Sequence, residues 1–330
     1  MSRPTTAAPY LAGNETLLQD LRHMRKQNRL PHALLLHGEP GCGKKTMALW
    51  FAMLTLCEDA DHAPCGQCRT CRLIAEGNHP DVMFAEHSGK RMGFSVETVR
   101  NIRKEAAVLP NNGEKRLFLF CDADGMSVQA QNALLKSVEE PPPHACFVFT
   151  ARTAHVLLPT LLSRMTAKPV FPVTKGQCTE ALLRRGLDET LVQQAVSRYE
   201  GNIGKCIAFL EDETIRKATE LAAECTHALA ARDEYRMLCC LTAAAADRDS
   251  YRQVLQLLDS QIRDAAIMTL EGSFDRLGCD REGAAALAAE MTPARTAKMH
   301  GAILEALADL DGNVGTVLSA TALCAAFARC

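Results

Sequence analysis

The stretch Gly38-Glu39-Pro40-Gly41-Cys42-Gly43-Lys44-Lys45-Thr46 constrains this chain more than any other. It follows the apolar run Ala33-Leu34-Leu35-Leu36-His37 and leads into Met47-Ala48-Leu49-Trp50-Phe51-Ala52-Met53-Leu54, which reads as a helix. Strand, glycine-rich turn and helix form the setting in which successive backbone N–H groups wrap a phosphate and the helix dipole adds to the attraction. Gly38, Gly43 and Lys44 complete the pattern G-x-x-x-x-G-K, with Gly41 inside the same turn. The next position calls for Ser or Thr, whose hydroxyl holds a magnesium ion. Here it is Lys45. That residue decides whether the chain reads as an ATPase or as the descendant of one.

The 330 residues suffice for two or three domains, and 47% hydrophobic residues against 23% charged ones predict a sizeable packed core. The net charge of −2 gives no global basic field for nucleic acid. No apolar run approaches the roughly 18 residues that a membrane span needs, and Met1-Ser2-Arg3-Pro4-Thr5-Thr6 lacks the apolar core of a signal peptide. A cytoplasmic location is expected, and with it reduced thiols for most of the 15 cysteines. Cys206, Cys225 and Cys324 sit singly in helical patterns and read as small buried hydrophobes.

Leu17, Leu18 and Leu21 mark an amphipathic helix over residues 14–28. After the loop helix, Cys57, Cys65, Cys68 and Cys71 follow the spacing C-x7-C-x2-C-x2-C. Four thiolates so placed can close a tetrahedron around a structural zinc ion, leaving no open position for water or substrate. The alternative is a redox C-x-x-C pair. Val82-Met83-Phe84-Ala85 reads as a short strand, and Ser95 as the N-cap of a helix with Thr98 at its third position. Arg116-Leu117-Phe118-Leu119-Phe120 runs into Cys121-Asp122-Ala123-Asp124, a buried parallel strand with an acid at its C-terminal edge. In a phosphate-loop enzyme such an Asp assists magnesium and a following Glu polarises the attacking water. Asp122 fills the first role; Ala123 stands in the second position. Residues 127–138 form a helix stopped by Pro141-Pro142-Pro143, and Ala145-Cys146-Phe147-Val148-Phe149-Thr150 is a further buried strand. This alternation implies a parallel sheet with helices on both faces, an α/β phosphate-loop module. From about Thr174 helical periods dominate to Cys330.

Taken together these stretches resemble the delta-prime family of bacterial DNA polymerase III clamp-loader subunits, within the AAA+ clamp-loader group. The resemblance runs through Leu30-Pro31-His32-Ala33-Leu34-Leu35, the four cysteines, His79-Pro80-Asp81, Asn132-Ala133-Leu134-Leu135-Lys136 with Glu139-Glu140-Pro141-Pro142, and Leu161-Leu162-Ser163-Arg164. Asp311-Gly312-Asn313-Val314 before a last Leu/Ala-rich helix is similar to the end of that family's collar. The resemblance implies an AAA+ domain over residues 1–172 with a zinc module at 57–71, a helical lid over 173–212 and a helical collar over 213–330. It implies a hetero-pentameric ring with gamma/tau and delta subunits that places a sliding clamp on primed DNA. It also implies that Ser163-Arg164-Met165 stands where the family carries Ser-Arg-Cys, with Arg164 offered as an arginine finger to a neighbouring subunit's nucleotide. Such fingers contribute about 10³–10⁵ in rate where measured. Read from the residues alone, Arg164 is a solvent-exposed or lid-binding arginine.

Lys45 brings a positive charge towards the place of a divalent cation, where like unit charges about 4 Å apart repel by roughly 4 kcal/mol at an effective dielectric of 20. Thr46 lies about 100° further round the helix, where it can touch an α-phosphate but is poorly placed for the same metal duty. Lost or very slow hydrolysis is expected. Magnesium is not expected, while Lys44, the glycines and, from the lid, Lys205 leave ADP or ATP as candidate ligands. The competing readings are an active gamma/tau-like ATPase, against which Lys45, Ala123 and the lack of a long extension after Cys330 argue, and a zinc-dependent DNA-binding regulator, against which the neutral charge argues.

Overall fold

The computed structural model describes residues 11–87, 93–271 and 280–330; the N-terminal hexapeptide lies outside them. Met1–Val173 and Thr174–Cys330 are separate compact units.

In the first unit the helix α1 (Glu15–Lys26) precedes the strand β1 (Ala33–His37), the helix α2 (Lys44–Leu56) and the short helix α3 (Arg69–Ala75). Then come β2 (Val82–Phe84), α4 (Val96–Ala106), β3 (Arg116–Phe120), α5 (Val128–Glu139), β4 (Ala145–Ala151), the single-turn α6 (Pro159–Leu162) and β5 (Thr166–Pro169). The strands form one sheet in the order β2-β3-β4-β1-β5, and every pair is parallel. Parallel strands need crossovers and are covered on both faces, so their sequences run apolar without alternation. One face carries Leu34, Leu36, Leu117, Leu119 and Val148 beneath Leu21 of α1, Phe51 of α2 and Ile74 of α3. The other carries Leu35, Phe118, Phe120, Phe147 and Phe149 beneath Ile102 of α4, Leu134 of α5 and Leu161 of α6. Phe118 pairs with Phe147 and Phe120 with Phe149 across β3 and β4, the second pair stacked at 4.7 Å between ring centroids. The Ser95 hydroxyl caps α4 by accepting from the Thr98 N–H at 3.0 Å, as its sequence position predicts.

β5 was not anticipated. Its residues Thr166, Ala167, Lys168 and Pro169 alternate between partial burial and exposure and carry no apolar run, because an edge strand needs burial on fewer sides. α2 starts at Lys44 rather than Met47, so both lysines lie in the first helical turn.

The second unit is helical throughout its described residues. α7 (Lys175–Leu183), α8 (Glu189–Tyr199) and α9 (Ile203–Glu211) are followed by α10 (Glu213–Ala230), α11 (Glu234–Ala244), α12 (Arg248–Glu271), α13 (Arg281–Ala288), α14 (Pro293–Asp311) and α15 (Thr316–Ala328). α8 stops where Glu200 and Gly201 take φ of 44° and 96°, and Asn202 restarts the chain by capping α9 through the Lys205 N–H. A core of Leu241, Tyr251, Leu258, Ile262, Ile303 and Leu323 holds α10–α15 together. Cys206, Cys225 and Cys324 are buried, as their helical patterns predict.

Candidate functional site

The phosphate loop is fixed at its start by the sheet. The Gly38 N–H donates to the Ala151 carbonyl at 3.1 Å, and a Cβ at Gly38 would lie 2.2 Å from the Val170 carbonyl oxygen, so no side chain fits there. Gly41 and Gly43 take φ of 87° and 92°, a region where a Cβ is strained. Gly43 is the N-cap of α2 and brings no side-chain acceptor to the first helical turn. The buried Lys44 ammonium donates to the Gly38 and Glu39 carbonyls, each at 2.7 Å, and so braces the loop from within. Thr46, next along α2, is half-buried.

Lys45 and Asp122 meet. The Lys45 Nζ lies 2.8 Å from the Asp122 Oδ2, with both side chains about half exposed at 61% and 52%. Hydrogen bonding and attraction to Asp122 raise the Lys45 pKa above the ordinary lysine value. Asp122 stands just past β3 with φ of 58°, a left-handed conformation that Asp tolerates better than most residues. The Asp122 N–H donates to the Thr150 hydroxyl at 2.8 Å, so the end of β4 fixes the turn that aims the carboxylate. Ala123 is buried and opens a 3-10 turn over Ala123–Gly125. It offers no carboxylate. Asp124 accepts from the Arg152 N–H at 2.9 Å. Thr150 escaped sequence reasoning, although a wholly buried hydroxyl at the end of an apolar strand is a signal.

Ser163 and Arg164 close α6. The Arg164 Nη1 donates to the Thr160 carbonyl at 2.7 Å and the Ser163 hydroxyl at 3.2 Å, and its Nη2 to Glu139 Oε1 at 2.9 Å. The guanidinium is thus held at the surface by the acid that ends α5, with 36% of the side chain exposed. Glu139 belongs to the Glu-Glu-Pro-Pro run, which the sequence marks as a helix stop and as part of the family resemblance but not as the partner of Arg164. Lys205 lies in the first turn of α9 in the second unit.

The four cysteines converge. The sulfurs of Cys57, Cys65, Cys68 and Cys71 all lie within 4.8 Å of one another. Gly66 between them takes φ of 70°. Backbone N–H groups point at the sulfurs: Cys65 N–H to Cys57 at 3.4 Å, Gln67 and Cys68 N–H to Cys65 at 3.5 and 3.3 Å, and Cys71 N–H to Cys68 at 3.3 Å. The two donors to Cys65 pull its thiol down to about 7, while burial pushes Cys71 up. N–H groups aimed at sulfur favour the thiolate, the form that binds metal. An all-thiolate set of four fits a closed, soft-metal site. Around it, Arg25 of α1 donates to the carbonyls of Leu54, Thr55 and Cys57, anchoring the end of α2 and the first ligand. Glu58 accepts from the Thr70 N–H and hydroxyl at 3.2 and 2.7 Å, tying the start of the insertion to α3. His79 and Asp81 serve the fold: the His79 Nδ1 accepts from the Asp81 N–H, and the buried Asp81 carboxylate accepts from both Asn111 nitrogens and the Asn112 N–H.

Part of the chain is similar in sequence to known proteins. A family profile described as "DNA polymerase III, delta subunit" matches residues 13–171. The DNA polymerase III subunit delta' of Bacillus subtilis (strain 168) is 30% identical over 174 residues, covering 53% of this chain and 50% of its own. The subunit delta' of Pseudomonas aeruginosa is 36% identical over 134 residues, covering 40% and 41%. The subunit tau of B. subtilis is 30% identical over 155 residues, covering 47% and 27%. The chain thus spans half or less of the length of these relatives. Residues 13–171, just under half of the chain, are thus similar to the delta-prime subunits of DNA polymerase III.

Proposed function

We propose that this chain acts in a clamp loader as a delta-prime-type subunit that hydrolyses little or no ATP itself and supplies Arg164 to the nucleotide of a neighbouring subunit. The observation that carries the reading is the ion pair between Lys45 and Asp122. Hydrolysis in a phosphate-loop enzyme needs a cation shared between the loop hydroxyl, the strand acid and the phosphates, together with a residue that orients water. Lys45 supplies no oxygen and engages the acid, and Ala123 supplies no base. The partner subunits would be gamma/tau and delta in a five-membered ring, acting on the sliding clamp and primed DNA in the bacterial cytoplasm. No described helix is long and apolar enough to cross a membrane. Residues 173–212 would serve as lid and 213–330 as collar. Zinc on the four cysteines would be structural.

Arg164 suits the finger role by position and charge. A guanidinium held by Glu139 and Thr160 has a set direction, and it can exchange the exposed Glu139 for phosphate when a neighbour approaches. A loader reconstituted with Arg164→Ala should assemble normally and lose the turnover of the one site that receives this arginine, so its total ATPase rate falls by that site's share while the other sites continue to turn over. An unchanged rate removes the assignment. The intact Gly38, Gly43 and Lys44 favour the competing reading of an active ATPase; robust magnesium-dependent turnover by the isolated chain would establish it.

A further inference from the structure

The phosphate loop keeps the parts of an anion cradle while its cation has changed. Gly41 and Gly43 retain the positive φ that turns peptide N–H groups inward, and the first turn of α2 carries no side-chain cap. Lys44 remains inside the loop. In a magnesium-dependent site the hydroxyl after the loop lysine and the acid after the strand act on one divalent ion beside the phosphates. In this chain the side chains at those two positions already share a cation, because the Lys45 Nζ sits 2.8 Å from Asp122 Oδ2. The cation is covalently tethered and monovalent, and it neutralises Asp122, an acid that would otherwise repel a polyphosphate. Resting on the reading of this loop as a nucleotide pocket, we infer that the loop takes the metal-free form of a nucleoside diphosphate and discriminates against its magnesium complex, with Lys45 as the residue that sets this preference.

Charge decides the direction. Free nucleotide carries more negative charge than its magnesium complex, so Lys44, with Lys45 cancelling the charge of Asp122, favours the free form. A magnesium ion brought in with the phosphates would enter next to a fixed ammonium and find no hydroxyl ligand from position 45. Lys45 is largely exposed, so replacing it leaves the core untouched.

Calorimetric titration of the full chain with ADP, once in excess EDTA and once in excess magnesium, tests this. Wild type should bind in EDTA and bind at least about tenfold more weakly in magnesium. Lys45→Thr restores the hydroxyl and should reverse that order. Lys45→Met should weaken binding in EDTA by about tenfold without creating a preference for magnesium. Tighter wild-type binding in magnesium, no binding of ADP in EDTA by a chain that circular dichroism shows to be folded, or the same magnesium response in Lys45→Thr as in wild type would each overturn the inference. None of these outcomes touches Arg164, whose role is read separately in the assembled loader.

Discussion

Asp81 illustrates how much one buried carboxylate can organise. It is wholly buried and accepts from three nitrogens of Asn111 and Asn112, so the turn before β3 is built on it. Asp81→Ala removes a charged acceptor and strands its donors, and should cost about 3 kcal/mol, read from the denaturant midpoint at unchanged m-value. A loss below about 0.5 kcal/mol would mean that water replaces the carboxylate fully. The Lys45–Asp122 pair behaves differently. Both partners are half exposed, so it contributes within the 0–1 kcal/mol typical of surface pairs, and its weight lies in site chemistry. At this scale the identities were legible in the sequence: Lys45, Ala123 and Arg164 stand at recognisable offsets. Their contacts were not. The meeting of Lys45 with Asp122 depends on a left-handed turn fixed by Thr150 from another strand, and the tether on Arg164 depends on Glu139 from another helix. Both are tertiary facts that no local pattern carries.

Among the elements, those with strong periodicity or apolar runs were legible: α1, β1, α2, β3, α5 and β4 follow from pattern and punctuation. β5 was hidden because an edge strand of four residues leaves no apolar signature. The stacked Phe120–Phe149 pair lies at the centre of the sheet, and Phe149→Ala should cost about 3–5 kcal/mol of stability, measurable by chemical denaturation. The cysteine insertion was readable from spacing alone, because four thiols this close in sequence have few ways to be far apart in space. Purified chain should carry one zinc per molecule by atomic absorption. Cys65→Ser should lower the zinc content and loosen residues 57–75, seen as faster proteolysis within that segment. Full-length wild type without zinc would contradict the metal assignment.

At the scale of the whole molecule, two compact units divide the chain between a sheet domain with the candidate site and an all-helical half. The fold class of each half was legible from the change in periodicity near Thr174. The division of the helical half into lid and collar was suggested only by family resemblance, since α7–α15 share one kind of pattern. On the proposed reading the chain donates an arginine and hydrolyses little or no ATP itself, so its activity would show only in an assembly. The direct measurement is therefore the steady-state, primed-DNA-stimulated ATPase rate of a loader reconstituted from gamma/tau, delta and this chain, comparing wild type with Arg164→Ala at equal assembly by gel filtration. The account predicts a lower rate for Arg164→Ala, reduced by the share of the one site that receives the arginine. Equal rates in equally assembled complexes would contradict it.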